Sequence, residues 1–298
     1  NHEQPIFKIC GGPNVDDTYW TEQVLKTCFE NAPEHVHGFM DGLSMHYYVV
    51  PECWENKGSA TDFDEKGWYK TLSKALYIET LINHHTTIMD KYDPEKKIGL
   101  ICDEWGTWFN CEPGTNPGFL YQQSTMRDAL VAGLSLNIFN KHCDRVKMAN
   151  IAQLINVLQA VILTDGPKML LTPTYHVFKM YKDHMENTLL GSYITTDYLE
   201  DNNETTVLTE SASVNADGEI VSTISNASLT ESAEIKCQIA DFTVKSVVAE
   251  IVTGDVRNHN TFENKDVVKT VEFTDFTLTN DGFVANVPPC SVVKFIIK

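Results

Sequence analysis

The chain has 298 residues and 42% hydrophobic content, enough for a sizeable core and for two domains. Its formal net charge of -18 argues against nucleic acid or an anionic membrane as partner, because either repels so acidic a surface. No stretch is long and apolar enough to cross a bilayer, so neutral ligands remain as the class of partner to look for.

Asn1-His2-Glu3-Gln4-Pro5 reads as neither a signal peptide nor an initiator context, and the expectation is a chain that starts inside something longer. Ile6 to Cys10 reads as a short strand stopped by Gly11-Gly12-Pro13, and Trp20, Val24 and Leu25 have helical spacing between Tyr19 and Phe29. Gly38 to Tyr48 supplies a second strand, followed by a long loop with Pro51, Trp54 and Gly58. A helix from Gly67 to Asp90 carries an apolar stripe of Leu72, Leu76, Ile78, Leu81 and Ile82. Lys97 to Trp108 is an apolar run that ends in two carboxylates and two indoles, as expected of a buried parallel strand. A loop rich in proline and glycine, Asn110 to Phe119, leads to a helix from Gln123 to Lys141, and Arg145 to Ile151 forms a fourth strand. The segment through Gln153, Asn156 and Asp165 continues as loop or helix, and Thr174 to Asn187 closes with another helix.

Strand and helix alternating four times imply a parallel sheet with crossover helices, and four such units are half of an eight-stranded barrel. Beyond Leu189 the texture changes to short β-branched runs: Thr206 to Leu208, Glu219 to Ile224, Ala233 to Ile239, Ser246 to Val252, Val267 to Phe273, Phe276 to Thr279 and Ser291 to Ile297. Turns such as Asp217-Gly218 and Asp281-Gly282 accompany them, which indicates an antiparallel sandwich. The fold class is α/β plus all-β: half of a (β/α)8 barrel over residues 1–188, then a β-sandwich over residues 189–298, with the boundary between Asn187 and Ser192.

In barrels of this kind the chemistry sits at the carboxyl ends of the strands, which makes the end of the Lys97 run the first place to look. Simple alternation sends Leu100, Cys102 and Glu104 to one side and Ile101 and Asp103 to the other, so only one of the two acids faces a substrate. His46 and Tyr48 share a face at the end of the second strand. The barrel mouth then collects His46, Tyr48, Glu104, Trp105, Trp108, Gln153 and Asn156. One acid, several neutral hydrogen-bonding groups and aromatic walls suit a sugar, whose hydroxyls need paired donors and acceptors and whose apolar ring faces stack on indole and phenol.

Other chemistries fit poorly. His84-His85 lies in a helix, His35 and His37 precede a strand and read as solvated, and no HExxH or CxxC occurs, so no metal is expected. Gly11-Gly12-Pro13 lacks the pattern and the lysine of a phosphate loop, and no serine sits in a GxSxG elbow. The acceptor motifs Asn203-Glu204-Thr205 and Asn226-Ala227-Ser228 are short and common, and matter only in a secreted chain. Cys10, Cys28, Cys53, Cys102, Cys111, Cys143, Cys237 and Cys290 read mostly as buried, reduced thiols of a reducing compartment.

Three ordered motifs carry a resemblance: Asp41-Gly42-Leu43-Ser44-Met45-His46-Tyr47-Tyr48, Asp103-Glu104-Trp105-Gly106-Thr107-Trp108, and the run from Arg145 through Gln153 to Val157. Together they resemble the α-L-arabinofuranosidases of glycoside hydrolase family 51, and Gly12 to Asp17 with Trp20-Thr21-Glu22 resembles that family's fifth-strand region. The resemblance covers the first two thirds of the chain. It implies a retaining enzyme with an eight-stranded barrel and an all-β domain, Glu104 as nucleophile on strand seven, and His46, Tyr48, Trp108 and Gln153 shaping the arabinofuranose pocket, with Trp105 and Asn156 as further candidates. No cofactor is implied.

The family's general acid/base is a glutamate in a Gly-Asn-Glu motif on strand four, and that motif is absent from these residues. A retaining glycosidase needs two carboxyl groups about 5 Å apart. Glu22, in a helical first turn, and Glu52 and Glu55, in a polar loop, are poor substitutes. The expectation is therefore the C-terminal portion of a larger cytoplasmic enzyme. It releases terminal α-L-arabinofuranosyl groups from arabinan, arabinoxylan or their oligosaccharides, with the acid/base supplied from outside this sequence, and it is a homo-oligomer. The alternatives are a related retaining pentosidase such as a β-xylosidase, or an inactive carbohydrate-binding fragment.

Overall fold

The computed structural model describes residues 6–34, 36–196 and 207–298. His35, Thr206 and the Asn203-Glu204-Thr205 motif lie outside the described residues. The first part is built on a four-stranded parallel sheet, β1 (Ile9–Cys10), β2 (Gly42–Val49), β3 (Gly99–Thr107) and β4 (Val146–Ile151), lying side by side in chain order. Three helices make the crossovers: α1 (Thr18–Asn31), α2 (Glu65–Tyr92) and α3 (Met126–Lys141). Each is started by a side-chain cap that satisfies an otherwise orphaned N–H: Asp17 on Trp20, Asp64 on Gly67, and a Thr125/Asp128 capping box on α3.

Alternation in β2 is regular. Leu43, Met45, Tyr47 and Val49 enter one apolar core with Leu72, Ile78, Ile82, Leu130 and Leu134 of the helices, which leaves Ser44, His46 and Tyr48 on the opposite face.

In β3 the alternation breaks. Ser44 pairs with Ile101 and His46 with Glu104, so two steps along β2 match three along β3, a β-bulge. Leu100, Cys102 and then Trp105 enter the helix-side core, while Asp103 and Glu104 stay partly exposed. The extra residue reverses the face expected from simple alternation: Glu104 parts company with Leu100 and Cys102 and joins His46 and Tyr48.

Both ends of β3 are pinned by buried polar groups. At its start the Arg145 guanidinium, 1% exposed, donates to Asp93 Oδ2 at 2.6 Å and to the Ile98 carbonyl at 2.8 Å. Asp93 in turn accepts from the backbone N–H groups of Ile98 and Lys97 and pairs with His37. Burial alone raises the Asp93 pKa, but these donors outweigh it, and the carboxyl titrates below the usual aspartate range. At its end, Thr107 N–H donates to Gln159 Oε1 at 2.8 Å and the Thr107 hydroxyl donates to Asp128. Gln159 Nε2 donates onward to the Asp128 carbonyl at 2.8 Å, and Gln122 Nε2 to the Thr107 carbonyl at 3.2 Å. Every member of this second set is buried.

After β4 the chain forms a hairpin, β5 (Ile162–Asp165) and β6 (Lys168–Leu171), where loop or helix is expected from the sequence. Then follow α4 (Pro173–Tyr181), shorter than the sequence pattern predicts and continued by a 3₁₀ turn over Lys182–His184, and the antiparallel strands β7 (Thr188–Leu189), β8 (Leu208–Val214), β9 (Ile220–Asn226), β10 (Ala233–Gln238), β11 (Val247–Thr253), β12 (Val271–Phe273), β13 (Phe276–Leu278), β14 (Gly282–Val287) and β15 (Ser291–Ile297). They make a six-stranded sheet, β12-β11-β15-β9-β8-β7, and a three-stranded sheet, β10-β14-β13. One apolar cluster joins the two, with Phe283 stacked on Phe295 at 4.4 Å between ring centroids.

The other face of the larger sheet meets α3. Asn137 Nδ2 donates to Thr209 Oγ1 and Asn140 Nδ2 to Ser211 Oγ, while Trp68 Nε1 of α2 donates to the Ala227 carbonyl at 2.9 Å. A Cβ on Gly133 would stand 2.6 Å from Ser225 Oγ, so the helix needs glycine there to approach the sheet this closely.

Two measurements test the pins on β3. Asp93→Asn is expected to lower unfolding free energy by about 2 kcal/mol at neutral pH, because it removes the buried one of the two carboxylates paired with Arg145 and leaves only Asp90. The folded pKa is depressed, so the parent's advantage is fully present above the ordinary aspartate pKa of about 3.9 and shrinks as pH falls through the folded value. Denaturant titrations of both proteins across pH 2 to 7 check this, and a gap that stays constant on acidification contradicts it. Gly106, at φ +130°, would carry a Cβ 2.9 Å from Gln159 Oε1. Gly106→Ala is expected to cost about 2 kcal/mol or more in the same assay.

Candidate active site

The open face of the parallel sheet gathers His46, Tyr48, Asp103 and Glu104 at the carboxyl ends of β2 and β3. Tyr48 Oη donates to Glu104 Oε2 at 3.1 Å. His46 Nδ1 stands 3.5 Å from the same oxygen, and His46 Nε2 stands 3.2 Å from Asp103 Oδ1. Asp103 Oδ1 is shut off from solvent and makes no well-aligned hydrogen bond, with the His46 imidazole 3.2 Å away. Both acids therefore flank one histidine, where simple alternation had allowed only one of them on this face. Glu104 keeps 45% side-chain exposure and is open to a ligand. Burial, followed by the Glu104 charge, pushes the Tyr48 phenol well above its usual pKa, so it remains a donor at any physiological pH.

An aromatic wall adjoins these groups. Tyr48 meets Trp108 edge to face at 5.1 Å, and Trp108 meets Trp54 in the same manner at 5.4 Å. Lys57 Nζ lies over both indoles, 5.2 Å from the Trp108 ring and 5.5 Å from the Trp54 ring. Trp54 is half exposed. A half-exposed indole in a line of aromatic rings that ends at the carboxylate-binding Tyr48 is a surface on which the apolar side of a sugar ring packs. Trp54, Lys57 and Asp103 are the members absent from the sequence-derived set. The signal for Trp54 is a tryptophan in the loop directly after the strand bearing His46, which alternation rules cannot orient.

Other expected members behave differently. Trp105 is 2% exposed and packs on Phe139 and Phe178 in the core, because the bulge turns it toward the helices. It is not part of the wall. Asn156 sits at φ +61°, and its amide bonds the backbone and hydroxyl of Thr164, which ties down the β5 hairpin; it serves the loop and not the site. Gln153 is exposed, two residues beyond Ile151, which pairs with Trp105 at the end of the sheet.

The substitute acids are engaged elsewhere: Glu22 with Lys91 and Tyr92, and Glu52 with Lys70, while Glu55 is exposed in its loop. Those cation and phenol partners hold the Glu22 and Glu52 carboxyls below the usual glutamate range, the opposite of what a proton donor needs. Among the described residues, no group of three or more His, Cys, Asp or Glu is arranged to hold a metal ion. The cysteines depart from expectation in burial. All eight are free thiols, but only Cys102 and Cys290 are buried, and Cys53 and Cys143 are exposed because they sit in loops.

An intracellular exo-α-L-arabinofuranosidase of Bacteroides ovatus is 43% identical over 98% of this chain, which covers 56% of that protein. The crystal structure of a GH51 arabinofuranosidase from Xanthomonas axonopodis pv. citri superposes with a TM-score of 0.94 at 41% identity, covering all of this chain and 59% of its own. The fold also matches an α-L-arabinofuranosidase from Thermotoga maritima in complex with arabinose, with a TM-score of 0.78 at 22% identity over 97% of this chain and 57% of that one. The chain thus spans a little over half the length of these relatives. The sequence model described as the α-L-arabinofuranosidase C-terminal domain matches residues 103–291, from the Glu104 strand to the start of the final strand, and the chain belongs to that family.

Proposed function

We propose that this chain is the nucleophile-bearing portion of a retaining α-L-arabinofuranosidase. The observation that carries the reading is the Glu104 carboxylate, open to solvent at a strand end, with Tyr48 donating to Oε2 at 3.1 Å and the Trp108/Trp54 wall beside it. In this reading Glu104 attacks the anomeric carbon while a second carboxylic acid protonates the departing glycosidic oxygen. The same group then deprotonates the water that displaces Glu104, restoring both carboxyls and releasing the sugar with retained configuration. That acid/base comes from residues outside this sequence, as the similarity to proteins nearly twice as long supports.

Residues 1–188 are read as half of a (β/α)8 barrel, completed through the two unpaired edges of the parallel sheet, and residues 189–298 as a β-sandwich. His46 holds Glu104 in place with Asp103 behind it. Tyr48 orients the attacking oxygen, Trp108 packs against the sugar, and Gln153 offers hydrogen bonds to its hydroxyls. The substrates are terminal arabinofuranosyl groups on arabinan, arabinoxylan or their oligosaccharides. An intracellular location follows the names of the relatives, and a homo-oligomeric enzyme is part of the same reading.

The test uses the complete enzyme that contains this chain. Glu104→Gln is expected to reduce kcat on an aryl arabinofuranoside by at least about 10³-fold with unchanged thermal stability. A folded variant with near-parental kcat removes the assignment. Tyr48→Phe deletes one hydrogen bond to a charged group, so the expected loss in kcat is about 10- to 150-fold. Equal rates for this variant and the parent exclude Tyr48 from the site.

A further inference from the structure

The loop after β2 carries Trp54 with little burial to orient it, since residues 52–56 are all exposed. Hydrogen bonds set its shape instead. Its start is tied to α2 by Glu52 and Lys70 at 2.6 Å. Within it, Cys53 N–H donates to the Asn56 carbonyl at 3.1 Å, and Lys57 Nζ donates to the Trp54 carbonyl at 2.7 Å. Three further bonds run to Asn110 in the loop after β3: its Oδ1 accepts from Lys57 N–H at 3.0 Å, its Nδ2 donates to Asn56 Oδ1 at 2.7 Å, and its own N–H donates to the Gly58 carbonyl at 2.9 Å.

Asn110 is the fixed end of this tie. Phe109, directly before it, is 2% exposed, and its N–H donates at 2.7 Å to Gln122 Oε1, part of the buried set that pins the end of β3. The position of β3 is thereby passed to the loop after β2. Lys57, whose backbone Asn110 holds, lays its ammonium over Trp54 and Trp108 alike. Cation–π attraction requires the cation to stay over the ring, so a held Lys57 keeps the two indoles together.

The order of the rings then matters. Tyr48 is bonded to Glu104, Trp108 adjoins Tyr48, and Trp54 adjoins Trp108. A sugar whose anomeric carbon lies at Glu104 meets the inner rings, which leaves Trp54 for the unit attached to it, the one that departs. We propose that Asn110 is a positioning residue for this leaving part of the substrate, holding Trp54 where its indole receives the second sugar of a disaccharide. Asn110 acts through Trp54, because both polar atoms of its own side chain are engaged by the neighbouring loop. The inference rests on the function proposed above and adds to it a determinant of leaving-group preference.

The test compares two substrates of the complete enzyme: an arabinofuranosyl disaccharide, and methyl α-L-arabinofuranoside, whose departing methanol offers no ring to stack. Trp54→Ala and Asn110→Ala are each expected to lower kcat/KM on the disaccharide at least about fivefold more than on the methyl glycoside, chiefly through KM. The double variant is expected to lose no more selectivity than Trp54→Ala alone. Asn110→Asp keeps an oxygen to accept from Lys57 N–H and is expected to lose less than Asn110→Ala, with thermal unfolding of every variant close to that of the parent. A loss equal on the two substrates, no loss on the disaccharide, or selectivity losses that multiply in the double variant overturn the role of Asn110 alone. A parent enzyme that hydrolyses neither glycoside overturns the arabinofuranosidase reading and this inference with it.

Discussion

The extra residue in β3 is the constraint on which the site depends. Cys102-Asp103-Glu104-Trp105 puts two acids between a small apolar residue and a large one, and a regular strand would turn Glu104 inward and Trp105 out. Burying an unpaired carboxylate costs several kcal/mol, and exposing the indole forfeits about 2–3 kcal/mol of burial. The bulge removes both penalties with one backbone irregularity. Its position is fixed because β3 is held at each end, by Arg145 and Asp93 at the start and by Thr107, Asp128 and Gln159 at the finish. A strand free to slip by one residue would return Glu104 to the core face.

The sequence makes the regular parts legible and hides the irregular ones. Helices α1, α2 and α3 and strands β2 and β15 fall close to their expected spans, since each has one dominant period and a clear cap or turn. The β5/β6 hairpin and β14 escape. The first is a pair of four-residue strands around Gly166, and β14 follows so closely on β13 that their turn residues read as one loop. At the site, His46, Tyr48, Glu104 and Trp108 are readable because they stand at the end of recognisable strands. Trp105 and Asn156 mislead for local reasons. Period-two reasoning carries no information about an inserted residue, and a polar side chain that caps a neighbouring loop looks, in sequence, like one that faces a ligand.

A second hidden feature is the seam between the parallel sheet and the β-rich part. Strands β8 and β9 bury polar residues on the face toward α3: Ser211, Thr223 and Ser225 are inaccessible to solvent. Asn137 Oδ1 accepts from Tyr181, Ser211 and Thr223 hydroxyls, while His184 bonds Ser213 and Thr223 and is pushed by burial to a pKa of about 4, neutral at physiological pH. A network so nearly satisfied specifies one docking geometry where a greasy seam would tolerate several. The family match, residues 103–291, spans this seam.

The groups around Glu104 divide the chemistry in one direction only. A nucleophilic carboxylate needs donors, and Tyr48 is a donor that its surroundings keep protonated. A general acid needs the reverse, an apolar or anionic setting that holds its own proton to higher pH. Glu22 and Glu52 sit beside cations and phenols that stabilise the ionised form, so neither has that setting. Conversion of either into the acid of the proposed mechanism would require removing its partner as well as moving it to the open face. The open face of the sheet and its two free edges, β1 and β4, are the places where a second carboxyl can approach Glu104 without displacing the Tyr48 contact. Under the proposed function, completing the mechanism is a matter of adding strands beside this sheet.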